Sequence, residues 1–410
     1  MNTGLRWYLT STAFYLVPGG IQMVLFPWLV AVYLHESATW VGIAQMSGQI
    51  PMLFLILVGG LLGDRMDQRS LLIFLHSVMI ILPLAMAAII GLDMLVFEML
   101  IVWAVAGGIL GAFVQPARDA MLNKVAGENI QRVVTLSVGV QFGIQIVGFG
   151  MGSFADKTGP ITLLLAQAVF MLFAAITTTR LPKSPVVTKV ETKVRKNALD
   201  DIAEGLGIAW KSEIIRPAIL LTFAIGLFFA ATYMVILPLM VRDIYSGGAA
   251  GMAGAFAMNM LGTCTVIVFL MRFGGLERPG RALIVTGFVS CTVLSLLHLE
   301  LPEWGFYTVL YFWGMCGGIS MTMSRAIVQE ASPTSHRARI MSVYSLGMMG
   351  GMPIGSIVLG LSVDEFGSRN AVLIPVIGMA VTLVYLAVAS NMWGLSRTTL
   401  NNLRTEAENS

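Results

Sequence analysis

Asp64, Arg65, Asp67 and Arg69 stand together in the stretch GGLLGDRMDQRS, residues 59–70, between two long apolar runs. Charges of both signs so placed suit electrostatic work. A carboxylate there can face the positive N-terminal end of a helix or pair with a guanidinium, and such a contact is weak enough to open and re-form. Covalent chemistry has little to work with. His35, His76, His298 and His336 are scattered, and Cys264, Cys291 and Cys316 are odd in number and lie inside apolar segments. There is no P-loop lysine, no nucleophile elbow and no metal-ligand spacing, so no cofactor, metal or ATP-driven step is expected. The remaining candidates lie within apolar runs. Glu98 is either a proton carrier or an interfacial carboxylate. Gln22, Gln45, Gln49, Gln115, Gln141 and Gln145 either line a cavity or hydrogen-bond between helices, because an amide facing lipid is costly. Tyr15, Trp28, Trp103, Tyr233, Tyr311 and Trp313 are candidates for the same cavity, and Met258, Met260, Met315, Met321, Met323, Met348 and Met352 would give its wall an adaptable surface.

The elements that must position these residues are membrane spans. Of 410 residues, 57% are hydrophobic and 11% charged, and the mean hydropathy is +0.82, whereas about a quarter of a soluble domain is charged. The net charge of +3, with no basic tract carrying interleaved aromatics, argues against a nucleic-acid partner. A span needs roughly 20 apolar residues, and windows of that length predict twelve: 7–34, 39–63, 70–90, 94–117, 132–155, 160–180, 214–241, 249–272, 281–299, 304–328, 339–363 and 370–393. With the N-terminus in the cytoplasm, all of the 25 Lys and Arg residues but Lys157, Arg242 and Arg369 fall on the cytoplasmic side. That asymmetry sets the orientation, with both termini cytoplasmic.

The longest polar interruption divides the spans six and six. The predicted organisation is a six-helix bundle over 1–180, a cytoplasmic linker over 181–213, a second six-helix bundle over 214–395 and a tail over 396–410. Within the linker, Leu199, Ile202, Ala203, Leu206 and Trp210 recur at helical spacing opposite Asp200, Asp201 and Glu204, with Asn197 as N-cap. This predicts a short amphipathic connector helix at the membrane surface. The halves are also copies of one another. A shift of 208 residues places Gly139 on Gly347, Gly143 on Gly351, Gly152 on Gly360, Asp156 on Asp364 and Gly159 on Gly367, and QRSLLI is echoed by GRALIV. Two such bundles form one of the transporter architectures, with the solute held between them. Glycines four apart (Gly59 and Gly63, Gly107 and Gly111, Gly139 and Gly143, and Gly347, Gly351 and Gly355) predict close helix packing.

With these residues in view, the chain resembles the major facilitator superfamily. The signature between its second and third spans reads approximately G-x-x-x-D-R-x-G-R-[KR]; Gly60, Asp64, Arg65 and Arg69 fit it, and Asp67 stands where the glycine would be. The D-R-x-D-x-R variant, FVQPARDAML and RARIMSVYSLGMMGGMPIG are similar to the enterobactin-exporter-like and macrolide-efflux-like subgroup of drug:proton antiporters. The resemblance implies an all-α fold of twelve spans in two pseudo-symmetric bundles, in a bacterial-type inner membrane. It also implies a conformational latch on the cytoplasmic side, made by Asp64, Arg65, Asp67 and Arg69 with Arg118 as a second partner, Asp64 facing the start of span eleven. Two departures bear on proton coupling: the usual arginine in the middle of span four is missing, and Phe149 replaces the proline of the span-five antiporter pattern.

The reading is a secondary transporter, not an enzyme: a monomer in membrane lipid that exports an amphiphilic solute of drug or siderophore type by alternating access, in exchange for protons. A lysophospholipid or other lipid transporter of the same fold is the alternative. GLLGD superficially resembles the GxGD element of intramembrane aspartyl proteases, but the spacing differs and no second intramembrane aspartate is present.

Overall fold

A computed structural model describes residues 3–126, 130–183, 198–273, 277–333 and 336–396, and every predicted window falls on a helix. The helices are α1 (Thr3–Trp28), α2 (Ala38–Arg65), α3 (Gln68–Gly91), α4 (Phe97–Ala126), α5 (Ile130–Gly152), α6 (Ala155–Thr178), α7 (Ala198–Lys211), α8 (Ile215–Ala224), α9 (Leu237–Asp243), α10 (Ala249–Phe273), α11 (Pro279–Ser295), α12 (Glu303–Ala331), α13 (Arg337–Ala371) and α14 (Leu373–Ala389). Among the described residues nine helical stretches are long and apolar enough to cross a membrane, and Leu136–Gly152 and Leu373–Ala389 are shorter apolar ones. The surface agrees with lipid as solvent. On α14, Ile377, Val381, Val384, Tyr385 and Val388 form one exposed stripe, and Val388 is 83% exposed. Water would penalise a stripe of that composition.

Two features modify simple spans. Span one ends in a π-helical turn, Leu29–Tyr33, and span seven is assembled from α8, two π-helical stretches (Ile225–Ala230 and Thr232–Ile236) and α9. A π turn inserts a residue into the helical ladder and often marks a functional segment. The connector helix α7 forms as its periodicity predicts. Leu206 and Trp210 are exposed on it, and Glu204 Oε1 accepts from Arg339 Nη1 at 2.7 Å and stands 3.2 Å from His336 Nε2. Asn197, its expected cap, lies outside the described residues.

The chain divides into two compact units: Met1–Arg195 with Ser246–Gly254, and Lys196–Tyr245 with Ala255–Ser410. Each repeats the packing of the other. In the first unit α1 packs on α5 and α6, α2 on α4, and α3 on α4 and α6; in the second, span seven packs on α13 and α14, and α11 on α12 and α14, while α10 meets α12 through Gly262 and Gly314. The backbone repeats as well. Gly159 (φ 78°, ψ 160°) and Gly367 (φ 78°, ψ 158°) are the positive-φ glycines of the described chain, and they are the pair that the 208-residue shift aligns. At each one the helix path breaks, separating span five from six and eleven from twelve. A Cβ at either position would meet nothing within 4 Å, so the glycines are needed for conformation alone. Gly159→Ala and Gly367→Ala are each expected to cost about 1–3 kcal/mol, read as a lower thermal midpoint in detergent.

The glycines in closest contact differ from those that four-residue spacing predicts. Gly20 meets Gly148 across α1 and α5, Gly48 meets Gly108 across α2 and α4, Gly226 and Gly351 join span seven to α13, and Gly262 and Gly314 join α10 to α12; an added Cβ would come within 3 Å of backbone at seven of these eight, and within 3.3 Å at Gly48. Gly351 and Gly355 do pack as expected, and Gly59 fits against Ala112, but Gly107, Gly111, Gly139 and Gly143 would give a Cβ open space. Spacing along one helix identifies a smooth face without telling whether a neighbour uses it.

Candidate functional site

The turn after α2 is held by its own charges. Asp67 is the N-cap of α3, its Oδ2 accepting from Ser70 N–H at 3.0 Å and from Ser70 Oγ at 2.7 Å, a cap that supplies an acceptor for an otherwise unpaired helix donor. Arg69 donates from Nη2 to the Thr179 carbonyl, just past the end of α6. Two of the four charges thus fix the turn to the first unit, while the side chains of Asp64 and Arg65 lie outside the described residues.

Arg118 is set in the core. Its helical neighbours Val114, Met121 and Leu122 are buried, as is Arg118 itself, at 6% exposure. The guanidinium lies 4.7 Å from the Tyr15 ring centroid, and the other partner of that ring is His76, stacked at 5.3 Å. Tyr8 donates to the Arg118 carbonyl at 3.2 Å. His76 Nδ1 is 3.2 Å from Thr178 Oγ1, which also lies 2.7 Å from Ser11 Oγ. Arg118 forms no ion pair with a described side chain, and its Nε is buried without a partner. Cation–π attraction compensates part of that desolvation, about 2 kcal/mol when the pair is shielded. The arginine therefore locks α1, α3 and α4 together beneath the first unit. From the sequence Arg118 was expected as a second partner of the latch; its neighbours Tyr15 and His76, 103 and 42 positions away, were not legible there.

The amides have mixed employment. Gln22 Oε1 accepts from Gln167 Nε2 at 3.3 Å, between α1 and α6, and Gln145 Nε2 stands 2.8 Å from Met23 Sδ. Gln115 donates to its own-helix neighbour Asp119 at 3.2 Å. Gln167 is buried and was not among the predicted residues. Gln45 is partly buried, and Gln49 presents a buried Oε1 with no partner among described groups. Gln141 is exposed on α5. Trp28 is buried and donates to Asp156 Oδ1 at 2.7 Å. Trp313 is buried edge-on to Phe229, Tyr233 packs on Phe256 with centroids 4.8 Å apart, and Tyr311 donates to Thr265 at 3.1 Å. Glu98 is exposed in the first turn of α4, where a carboxylate favours the helix end.

Among the described residues Arg118 is the buried side chain with a full charge. The rest of the buried polar set consists of hydroxyls, one amide and one imidazole. Such an interior can bind and pass a solute, but among the described residues it holds no paired acid and base, no nucleophile with its base and no cluster of three metal-ligating side chains.

Known proteins agree with that geometry. The chain is 22% identical over 397 residues to the staphyloferrin A transporter of Staphylococcus aureus, covering 92% of this chain and 94% of the relative. Among solved structures, the nucleoside transporter NupG matches with a TM-score of 0.74 at 15% identity, over 97% of this chain and 100% of that one. The D-xylose-proton symporter matches with a TM-score of 0.71 at 12% identity, over 94% and 96%. A bacterial homologue of the lysosomal transporter Spinster, inward-facing and unoccupied, matches with a TM-score of 0.69 at 13% identity, over 98% and 99%. At these identities the structures establish the fold, an all-helical one of the major facilitator type. These proteins are transporters, and the peptidase reading falls. The model of the family described as transmembrane secretion effector matches residues 5–402, and this chain belongs to that family of multi-pass membrane transporters.

Proposed function

We propose that the protein exports an amphiphilic small molecule, of drug or siderophore type, across a bacterial-type inner membrane by alternating access, with both termini in the cytoplasm and protons as the counter-ion. The observation that carries the choice of solute is the near absence of buried charge noted above: hydroxyls, amides, thioethers and aromatic rings suit a molecule with apolar surface and dispersed polar groups better than a sugar or a dicarboxylate. The family description of secretion supports outward transport, and the relative from Staphylococcus aureus is named for a siderophore. The Lys and Arg distribution supports the orientation. The two bundles of the reading are residues 1–180 and 214–395, joined by 181–213. Asp64, Arg65, Asp67 and Arg69 form the cytoplasmic latch, with Asp67 and Arg69 holding the turn. Arg118 supports the latch from within the core.

The test is a panel of labelled solutes, comprising a catecholate siderophore, a cationic dye, a lysophospholipid and a sugar, in reconstituted inside-out vesicles with and without an imposed pH gradient. Gradient-dependent uptake of the siderophore or the dye is expected. Movement of the lysophospholipid alone would establish the lipid-transporter alternative, and uptake of the sugar alone would overturn the assignment of solute class.

A further inference from the structure

Span nine, within the second unit, carries a feature that the transport reading does not use. Val285, Phe288, Val289, Thr292 and Val293 of α11, with Trp393 beside them, line a groove of about 380 Å³, and Val285, Val289 and Trp393 are exposed. The Thr292 hydroxyl donates to the Phe288 carbonyl of its own helix at 3.0 Å, so the walls present almost nothing polar. Arg281 is exposed one turn before Val285, at the head of the same face, and its guanidinium lies over the Trp393 ring, 5.1 Å from the centroid. One side chain therefore both lines the groove and carries the charge at its end. Trp393 is held there by the packing of its own 3₁₀ turn, Asn391–Gly394. Met392 and Leu395 on either side are buried, and a Cβ on Gly280 would lie 2.0 Å from the Met392 carbonyl oxygen.

We propose that this groove is a site for one anionic phospholipid, with an acyl chain lying along α11 and the phosphate on the Arg281 guanidinium. Depth and charge both fit. Val285 to Val293 is about 12 Å of helix, close to one leaflet of a bilayer core about 30 Å thick. Arg281 stands in the first turn of the span Pro279–His298, where lipid headgroups lie. A helix dipole repels a cation in its first turn and attracts an anion, so a phosphate suits both the arginine and the helix end. Among the described residues no carboxylate pairs with Arg281, and Glu213, which reaches the same 3₁₀ turn, accepts from Asn391 Nδ2 at 3.1 Å. A guanidinium presents a planar fork that matches phosphate oxygens. The exposed stripe of α14 has neither groove nor basic residue, and lipid there is solvent only. The site is independent of which solute the protein moves.

The test needs no solute. The full chain in lipid nanodiscs is photo-labelled with phosphatidylglycerol or phosphatidylcholine carrying the same diazirine-bearing acyl chain, and labelled peptides are quantified by mass spectrometry, with the α14 stripe as internal reference. Over residues 285–293 phosphatidylglycerol should label about fivefold more than phosphatidylcholine, the equivalent of about 1 kcal/mol for one basic residue near anionic lipid, while α14 should take both alike. Arg281→Gln should bring the ratio close to one. Val289→Trp, which fills the groove from an exposed position, should reduce labelling there by both lipids, and it decides the matter should Arg281→Gln fail to fold. Arg272→Gln, which removes an exposed charge at the end of α10, should leave the ratio unchanged. Equal labelling by the two lipids in the parent, a ratio that survives Arg281→Gln, or one that falls as far in Arg272→Gln would overturn the site. A groove that neither lipid labels while α14 is labelled would mean that a protein surface fills it, and would overturn it too.

Discussion

Replacing Asp64 with Asn is expected to leave the protein in the membrane at normal abundance and to reduce transport at least tenfold, to background in a vesicle assay. The substitution preserves size and removes one negative charge. Acidic residues contribute little to topology, so insertion should be unaffected. A carboxylate near the N-terminal end of a helix is worth about 0.3 to 1 kcal/mol, and up to about 2 when partly buried. A contact of about 1.4 kcal/mol changes a two-state population tenfold, so its loss is enough to hold most molecules in one state. Asp67→Asn and Arg69→Gln should be milder, because Asn still caps α3 and the Thr179 carbonyl is also reachable by water. Transport by Asp64→Asn equal to the parent would remove the latch from the account.

The second large effect concerns stability. Gly108→Ala and Gly314→Ala should each destabilise the protein by about 1–3 kcal/mol, the usual cost of overpacking, and at the upper end of that range, since the obstacle is backbone. An added Cβ at Gly108 would lie 2.1 Å from the Gly48 carbonyl oxygen, and one at Gly314 would lie 1.9 Å from that of Asn259. Neither oxygen can move without its helix. The contacts are also hydrogen-bonded in the second unit, where Thr263 donates to the Gly314 carbonyl at 2.9 Å and Asn259 to that of Leu310 at 3.3 Å. Gly107→Ala and Gly317→Ala are the controls. They lie one and three positions away, their Cβ atoms would meet nothing within 4 Å, and Ala is the better helix former by about 1 kcal/mol. Thermal unfolding of the four variants in detergent should separate them into two pairs with shifts of opposite sign. Equal shifts would mean that the α2–α4 and α10–α12 crossings are looser than described.

The contrast between those glycines shows what the sequence could and could not disclose. The spans were legible because lipid imposes one rule, some 20 apolar residues with every backbone group bonded internally, and Lys and Arg mark where each run ends. The two copies were legible because Asp156-x-x-Gly159 and Asp364-x-x-Gly367 impose the same backbone break, and only glycine adopts it readily. The amphipathic α7 was legible from Leu199, Ile202, Leu206 and Trp210. Partner choice was not. Tyr15, His76 and Arg118 meet from three helices, and nothing in the local pattern of any one of them names the others. Gln22 and Gln167 pair across α1 and α6 for reasons of rotation about helix axes, which composition does not encode. The π turns in span seven leave no periodic mark, because a single inserted residue shifts the apolar face by about 100° and a uniformly apolar helix hides the shift. Trp28 was legible as an aromatic within span one, but its hydrogen-bond partner, Asp156, only as a member of a repeat.

Directional flux measures the central claim most directly: that two related bundles move an amphiphilic solute outward at the expense of a proton gradient. One labelled siderophore or dye that the panel identifies would be followed in vesicles of both orientations, with the pH gradient imposed in each sense. The account predicts accumulation in inside-out vesicles with an acidic lumen, collapse of that accumulation when a protonophore is added, and no accumulation by Asp64→Asn. Accumulation that is indifferent to the gradient and to the orientation of the protein, or that survives in Asp64→Asn, would contradict it.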